Sequence, residues 1–197
     1  MAIKPILFNT EMVRAILDGR KSCTRRLVKF FSGENPRWTG YIKDGLMLYN
    51  GKNEPCIRKA PYQPGDILYV RETWMDYAGL TMYKADCDIY RLDSLNFAGF
   101  GWKPSIHMPK EAARIWLKVT DVRVERLQEI TIDGIRNEGI SSMAVHAGDM
   151  EIALKEWKNL WNSTIKKTDL DSYGWEANPW VWVIEFERCE KPETKVN

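Results

Sequence analysis

"RIWLKVTDVRVERLQEIT", residues 114–131, is the stretch on which the fold turns. Ile115, Leu117 and Val119 alternate with polar neighbours, the period-two pattern of a half-buried strand. The apolar positions resume at Val122 and Val124, one residue out of phase, which predicts a bend or bulge near Asp121. Thr131 then offers an N-cap, and a short helix runs to Glu138 until Gly139 stops it.

Upstream, Gln63-Pro64-Gly65-Asp66 reads as a turn into a strong strand over 67–74. Near the start of the chain, Ile6-Leu7-Phe8 is a strand signal. Asn9 or Thr10 caps a helix whose apolar residues Met12, Val13, Ile16 and Leu17 fall at helical spacing, and Gly19 ends it. A hairpin is expected around Tyr41–Tyr49. Downstream, 150–165 is amphipathic, with Leu154, Trp157, Leu160 and Trp161 on one face. Residues 179–186 form a closing strand of almost continuous apolar character. Such strands with few helices predict an α+β chain, a small and mostly antiparallel β-barrel with peripheral helices. A single domain spans 1–197, with insertions at about 30–62, 75–113 and 140–178.

The bulk numbers exclude several function classes. With 44% hydrophobic and 12% aromatic residues, the chain can bury a real core. Four scattered cysteines, no C-x-x-C and two histidines argue against a zinc cluster, so no metal is expected. No G-x-G-x-x-G or P-loop is present, and no cofactor is implied. No targeting segment and no apolar run of bilayer length is seen, so a cytoplasmic protein with free thiols and no membrane partner is expected. The net charge is only +2, yet Arg20, Lys21, Arg25, Arg26 and Lys29 stand together with no acid between 19 and 29. By charge alone, one concentrated positive patch on an otherwise slightly acidic chain reads first as a solvated patch or a phosphate grip, and only second as part of a site.

Four segments in this order, "ILDGRKSCTRR", "QPGDILYVRE", the stretch from Ile115 through "RNEGI", and "VWVIEFER", resemble the ASCH family, a branch of the PUA-like barrels. In particular they resemble the N4-acetylcytidine amidohydrolases and their longer phage and prophage relatives. The resemblance covers under a third of the chain. It implies an ASCH barrel and an amidohydrolase that removes the N4-acyl group from an acylated cytidine. Gly19, Arg20, Lys21, Thr24 and Arg26 match its first motif, and Glu138 falls on its catalytic glutamate. The implied roles are Thr24 as nucleophile, Lys21 as proton acceptor and Glu138 as proton donor. The implied partner is a small acylated nucleoside. The alternative is a module that binds RNA or a modified nucleotide without cleaving it. The oligomeric state is left open.

The chemistry sets conditions on these residues. A threonine hydroxyl attacks only once its proton is removed. Lys21 can take that proton only when neutral, and Arg20, Arg25 and Arg26 disfavour its ammonium form. A protonated Glu138 would then serve the leaving amine. The step from Lys21 to Thr24 joins them on a turn but separates them on an ideal strand, so a turn or irregular backbone is expected at 21–24, and an extended strand there counts against the triad. Arg20 and Arg26 are expected to hold substrate. So are Glu72 and Trp74 at the end of the 67–74 strand, and Ser105 and His107 in the loop "WKPSIHMP". For each a plainer role stands beside this one: an Arg71–Glu72 surface pair, a core tryptophan, a structural loop histidine. Cys23, beside cations, is read as a bystander.

Overall fold

The structure, a computed structural model, describes residues 1–30, 41–43, 47–49, 57, 59–77, 79–88 and 101–193. Its elements in chain order are β1 (Ile3–Leu7), α1 (Thr10–Leu17), β2 (Cys23–Leu27), β3 (Tyr41–Lys43), β4 (Met47–Tyr49), β5 (Ile67–Arg71), β6 (Trp74–Tyr77) and β7 (Leu80–Tyr83). After them come β8 (Trp116–Arg126), α2 (Ile132–Asn137), α3 (Met143–Ala147), α4 (Met150–Thr164), α5 (Leu170–Tyr173) and β9 (Trp180–Cys189). The chain divides into two compact units, one built from residues 1–19, 65–119 and 187–197, the other from 20–64 and 120–186. No described helix is long and apolar enough to cross a membrane.

In the first unit β1 pairs with β5 in parallel, from Ile3 opposite Ile67 to Leu7 opposite Arg71. β5 pairs antiparallel with the start of β8, Ile67 opposite Lys118. Asn9 caps α1 by accepting a hydrogen bond from the Met12 amide at 2.9 Å. The helix buries Val13, Ala15 and Ile16 and ends before Gly19, whose φ of 73° an L side chain rarely adopts. The expected strand over 67–74 breaks at Glu72 and Thr73, and β6 and β7 form a separate hairpin, Trp74 opposite Tyr83. Ile67, Trp74, Met108, Ala113 and Trp116 form a buried hydrophobic cluster in this unit. The segment expected as an inserted loop over 75–113 thus supplies core residues; residues 89–100 lie outside the described residues.

In the second unit β2 pairs antiparallel with β9, from Cys23 opposite Glu185 to Leu27 opposite Val181. β9 lies between β8 and β2. Residues 140–178, expected as an insertion, carry α3, α4 and α5. Trp157 and Trp161 of α4 pack with Leu127, Ile135, Val181 and Val183 in the unit's core. The helices therefore bury the apolar face of the strands and are part of the fold's stability. The hairpin expected around Tyr41–Tyr49 is present as β3 and β4; most of the remaining loop expected over 30–62 lies outside the described residues.

The phase change read from β8 is visible in its burial. Leu117 and Val119 are buried, then Val122 and Val124, so the inward side switches between the two pairs. The fold is mixed α+β. The described strands form one larger sheet and two hairpins, and no closed barrel is present among the described residues.

Candidate active site

Helix α2 is a short element with a defined end. The Thr131 hydroxyl accepts from the Gly134 amide at 3.1 Å. Glu138 is the C-cap, and Gly139 follows at φ 95°, turning the chain out of the helix. That turn brings Glu138 into an isolated antiparallel bridge with Lys21, just before β2 begins. The Ser22 amide donates to the Asn137 carbonyl at 2.9 Å and fixes the two segments side by side.

The Lys21 ammonium donates to Glu138 Oε2 at 2.7 Å and to the Glu138 backbone carbonyl at 2.9 Å. Their side chains are 1% and 4% exposed. The second oxygen, Oε1, faces Arg25 Nη1 at 3.3 Å, and Arg25 Nη2 lies 3.4 Å from Glu125 Oε2. Two cations and two carboxylates thus form a chain with no net charge, buried except at the half-buried Glu125, and their mutual pairing offsets the cost of taking the buried ions out of water. The Arg25 guanidinium carbon lies 5.9 Å from the centre of the Trp157 ring. Gly134 leaves room for it, since a Cβ there would stand 3.2 Å from Arg25 Nη2.

The backbone at 21–24 differs from expectation. Strand β2 starts at Cys23, so Thr24 lies in extended chain rather than in a turn. The reason is pairing: Cys23 and Thr24 are matched to Glu185 and Ile184 of β9. Alternation along β2 puts Cys23 and Arg25 on one face and Thr24 and Arg26 on the other, beside Ile184 and Trp182. Thr24 is 5% exposed. Arg26 is half-buried, and burial pushes its guanidinium below the ordinary value, opposed by Tyr62 and Glu138. Arg20 donates to the Gly139 carbonyl at 2.6 Å, a cation at the end of α2.

Cys23 is not activated by its cationic neighbours. Burial, and then the Glu138 carboxylate, push its thiol up to about 12, which outweighs Arg25 and Lys21. A cleft of about 180 Å³ opens beside Cys23 and Arg25, rimmed by Glu125, Asp133 and Glu185. Arg123 lies on the same rim and bonds Glu125 and Glu185 at 2.5 Å each.

The other sequence-derived residues belong to the first unit. Glu72 is fully buried and is gripped by Arg114, from Nε at 2.9 Å and from Nη2 at 3.1 Å. Its partner is therefore Arg114, not Arg71, which donates instead to the Ile106 carbonyl. Burial raises the Glu72 carboxyl, and Arg114 opposes the rise. Arg114 also bonds Asp86 at 2.7 Å and stacks 3.9 Å from the Tyr83 ring centre. Trp74 is a core residue with Lys103 Nζ 4.7 Å from its ring centre. Ser105 and His107 lie in a 3₁₀ turn, Ser105 half-buried and His107 exposed. No group of side chains fit to hold a metal is found among the described residues.

Sequence reasoning gave no role to Glu125 or Gly134 and did not single out Arg25 from its neighbours. A glycine inside "TIDGIRNEG" was the available signal, because helices disfavour it without a packing reason. Glu125 had none, being one acid in an alternating strand.

No protein-family model matches the chain, and no curated protein matches it. Among solved structures the chain is similar to the crystal structure of an ASCH domain from Lactobacillus crispatus JV V101, at 13% sequence identity and a TM-score of 0.39. That likeness covers 95% of this chain and 79% of the other, and the chemistry of the site rests on the distances above rather than on it.

Proposed function

We propose that the chain is an amidohydrolase that removes the N4-acyl group of N4-acetylcytidine or a related acylated cytidine. The observation that carries this reading is the direct Lys21–Glu138 contact, 2.7 Å between nitrogen and oxygen inside the protein. A proton can pass along that contact in one step, converting an ammonium and a carboxylate into an amine and a carboxylic acid. Those are the two forms amide cleavage needs.

The reaction then balances. Thr24 Oγ forms a bond to the acyl carbon as neutral Lys21 takes its proton. The carbon–N4 bond breaks as protonated Glu138 gives its proton to the leaving amine. This releases cytidine, leaves an ester on Thr24, and restores the ammonium–carboxylate pair. A second proton transfer within the pair readies it for water. Lys21 takes the water's proton, Glu138 returns one to Thr24 Oγ, and the acyl group departs as a carboxylic acid. Arg20 and Arg26 hold the substrate near Thr24. The reaction asks for no cofactor or metal, and the protein works in the cytoplasm.

A second reading is a module that binds RNA or a modified nucleotide and cleaves nothing. The alternation of β2 favours it, since Thr24 shares a face with Arg26 and not with Arg25. Incubation with N4-acetylcytidine separates the two. Release of cytidine by the wild-type chain, abolished in Lys21→Ala and in Thr24→Ala, is the expected result. No release from any acylated cytidine, with salt-sensitive RNA binding lost in Arg26→Ala, would favour the module.

A further inference from the structure

Glu138 is held from two sides, and only one of them is Lys21. Arg25 approaches the other carboxylate oxygen at 3.3 Å and lies against Glu125 at 3.4 Å. The Arg25 side chain is 3% exposed, and Glu125 is 23% exposed. We propose that Arg25 and Glu125 are positioning residues of the same site, a counter-pair that lets a proton move from Lys21 to Glu138 without leaving an unbalanced charge inside the protein.

The inference rests on the hydrolase reading for its purpose, but the pairing stands on geometry alone. In the resting chain Glu138 balances Lys21, and Glu125 balances Arg25. When the N–H bond of Lys21 breaks and an O–H bond forms on Glu138 Oε2, both groups become neutral. Arg25 keeps its charge, because a guanidinium does not release its proton in proteins. Without Glu125 it would be a buried cation facing a neutral acid, and that cost would hold the proton on Lys21. With Glu125 in place the Arg25 pair survives the transfer. Arg25 also fixes Oε1, so that Oε2 is the oxygen presented to Lys21.

Other charges surround the carboxylate. On β2, Cys23 and Arg26 lie within electrostatic reach of Glu138, Cys23 as a neutral thiol. On β8, Arg123 bonds the second oxygen of Glu125 at 2.5 Å. On β9, Glu185 bonds Arg123 at the same distance. From α4, the facing group is the uncharged Trp157 ring. Glu125 therefore keeps a cationic partner if Arg25 is removed, and Arg123 keeps Asp121 and Glu185 if Glu125 is removed. Each half of the pair can be tested singly.

The test follows the Glu138 carboxyl carbon by NMR against pH in the full-length chain, wild type beside Arg25→Gln, Arg25→Lys and Glu125→Gln. Removing the Arg25 charge is expected to move protonation of Glu138 to higher pH, and removing the Glu125 charge to move it to lower pH. Arg25→Lys is expected to stay near wild type. Gly134→Ala crowds Arg25 without deleting its charge and is expected to act like Arg25→Gln, more weakly; it serves if Arg25→Gln fails to fold. In deacylation, Glu125→Gln is expected to lower kcat about tenfold with KM within about twofold, since substrate binding is untouched. Unchanged midpoints in Glu125→Gln and in whichever Arg25-directed variant folds would overturn the pairing, whatever the turnover. Midpoints that move while the wild-type chain releases no cytidine would uphold the pairing and sink the hydrolase reading alone.

Discussion

Replacing Glu138 by Gln removes a carboxylate that both Lys21 and Arg25 face. Their side chains are 1% and 3% exposed, so water cannot screen what is left. Among the described contacts, the variant leaves Arg25 paired with Glu125, which Arg123 already engages, and Lys21 facing an uncharged amide. Breaking a buried ion pair by removing one partner costs about 3–5 kcal/mol. The Gln oxygen can still accept from the ammonium, which places the expected loss near about 3 kcal/mol. For a chain of this size that corresponds to a fall in Tm of roughly 6–12 °C. Urea unfolding with an unchanged m-value is the assay. The double variant Lys21→Met/Glu138→Leu closes the cycle. It is expected to recover most of the loss, because a buried pair exchanged for apolar groups is often neutral. A Glu138→Gln chain within about 1 kcal/mol of wild type would refute the reasoning, since that is the range of an exposed pair.

Two further outcomes follow from the remaining buried groups. A Cys23 thiol pushed from 9.0 to about 12 holds about a thousandfold less thiolate than an ordinary one, so its alkylation at neutral pH is expected to wait for unfolding; rapid labelling of the native chain would contradict this. The Glu72 carboxyl, raised above its ordinary 4.5 by burial, keeps its proton to higher pH in the folded chain than in the unfolded one. The folded state therefore binds more protons as pH rises through and above 4.5, and wild-type stability falls relative to Glu72→Gln over that window. Paired thermal unfolding curves, taken from acid to neutral pH, check this; a constant gap would contradict it.

Much of the second unit could be read before any coordinate. The phase change in β8, the Thr131 cap and the Gly139 stop are local features, and local patterns fix them. Lys21 and Glu138 were each legible as candidates, yet their meeting depends on how α2 turns back beside β2, which is a matter of tertiary packing. Thr24 shows the opposite failure. Its surroundings read locally as a turn, and pairing with β9 drew it into a strand instead. Trp157 and Trp161, within the 140–178 insertion, pack with Leu127, with Ile135 of α2 and with Val181 and Val183 of β9, contacts distant in sequence that no local pattern supplies. For Glu72 the sequence offers a substrate contact or a surface pair with its neighbour Arg71. Its real partner, Arg114, is more than forty residues away, and no spacing rule could have supplied it.

The central claim is that Thr24 carries the acyl group while the Lys21–Glu138 pair moves its protons. The most direct measurement is the mass of the chain after brief exposure to N4-acetylcytidine and an acid quench, with peptide mapping. The account predicts one added acyl group on the peptide containing Thr24, absent in Thr24→Val. Steady release of cytidine by a Thr24→Val chain, or an acyl group found on any other residue, would contradict it.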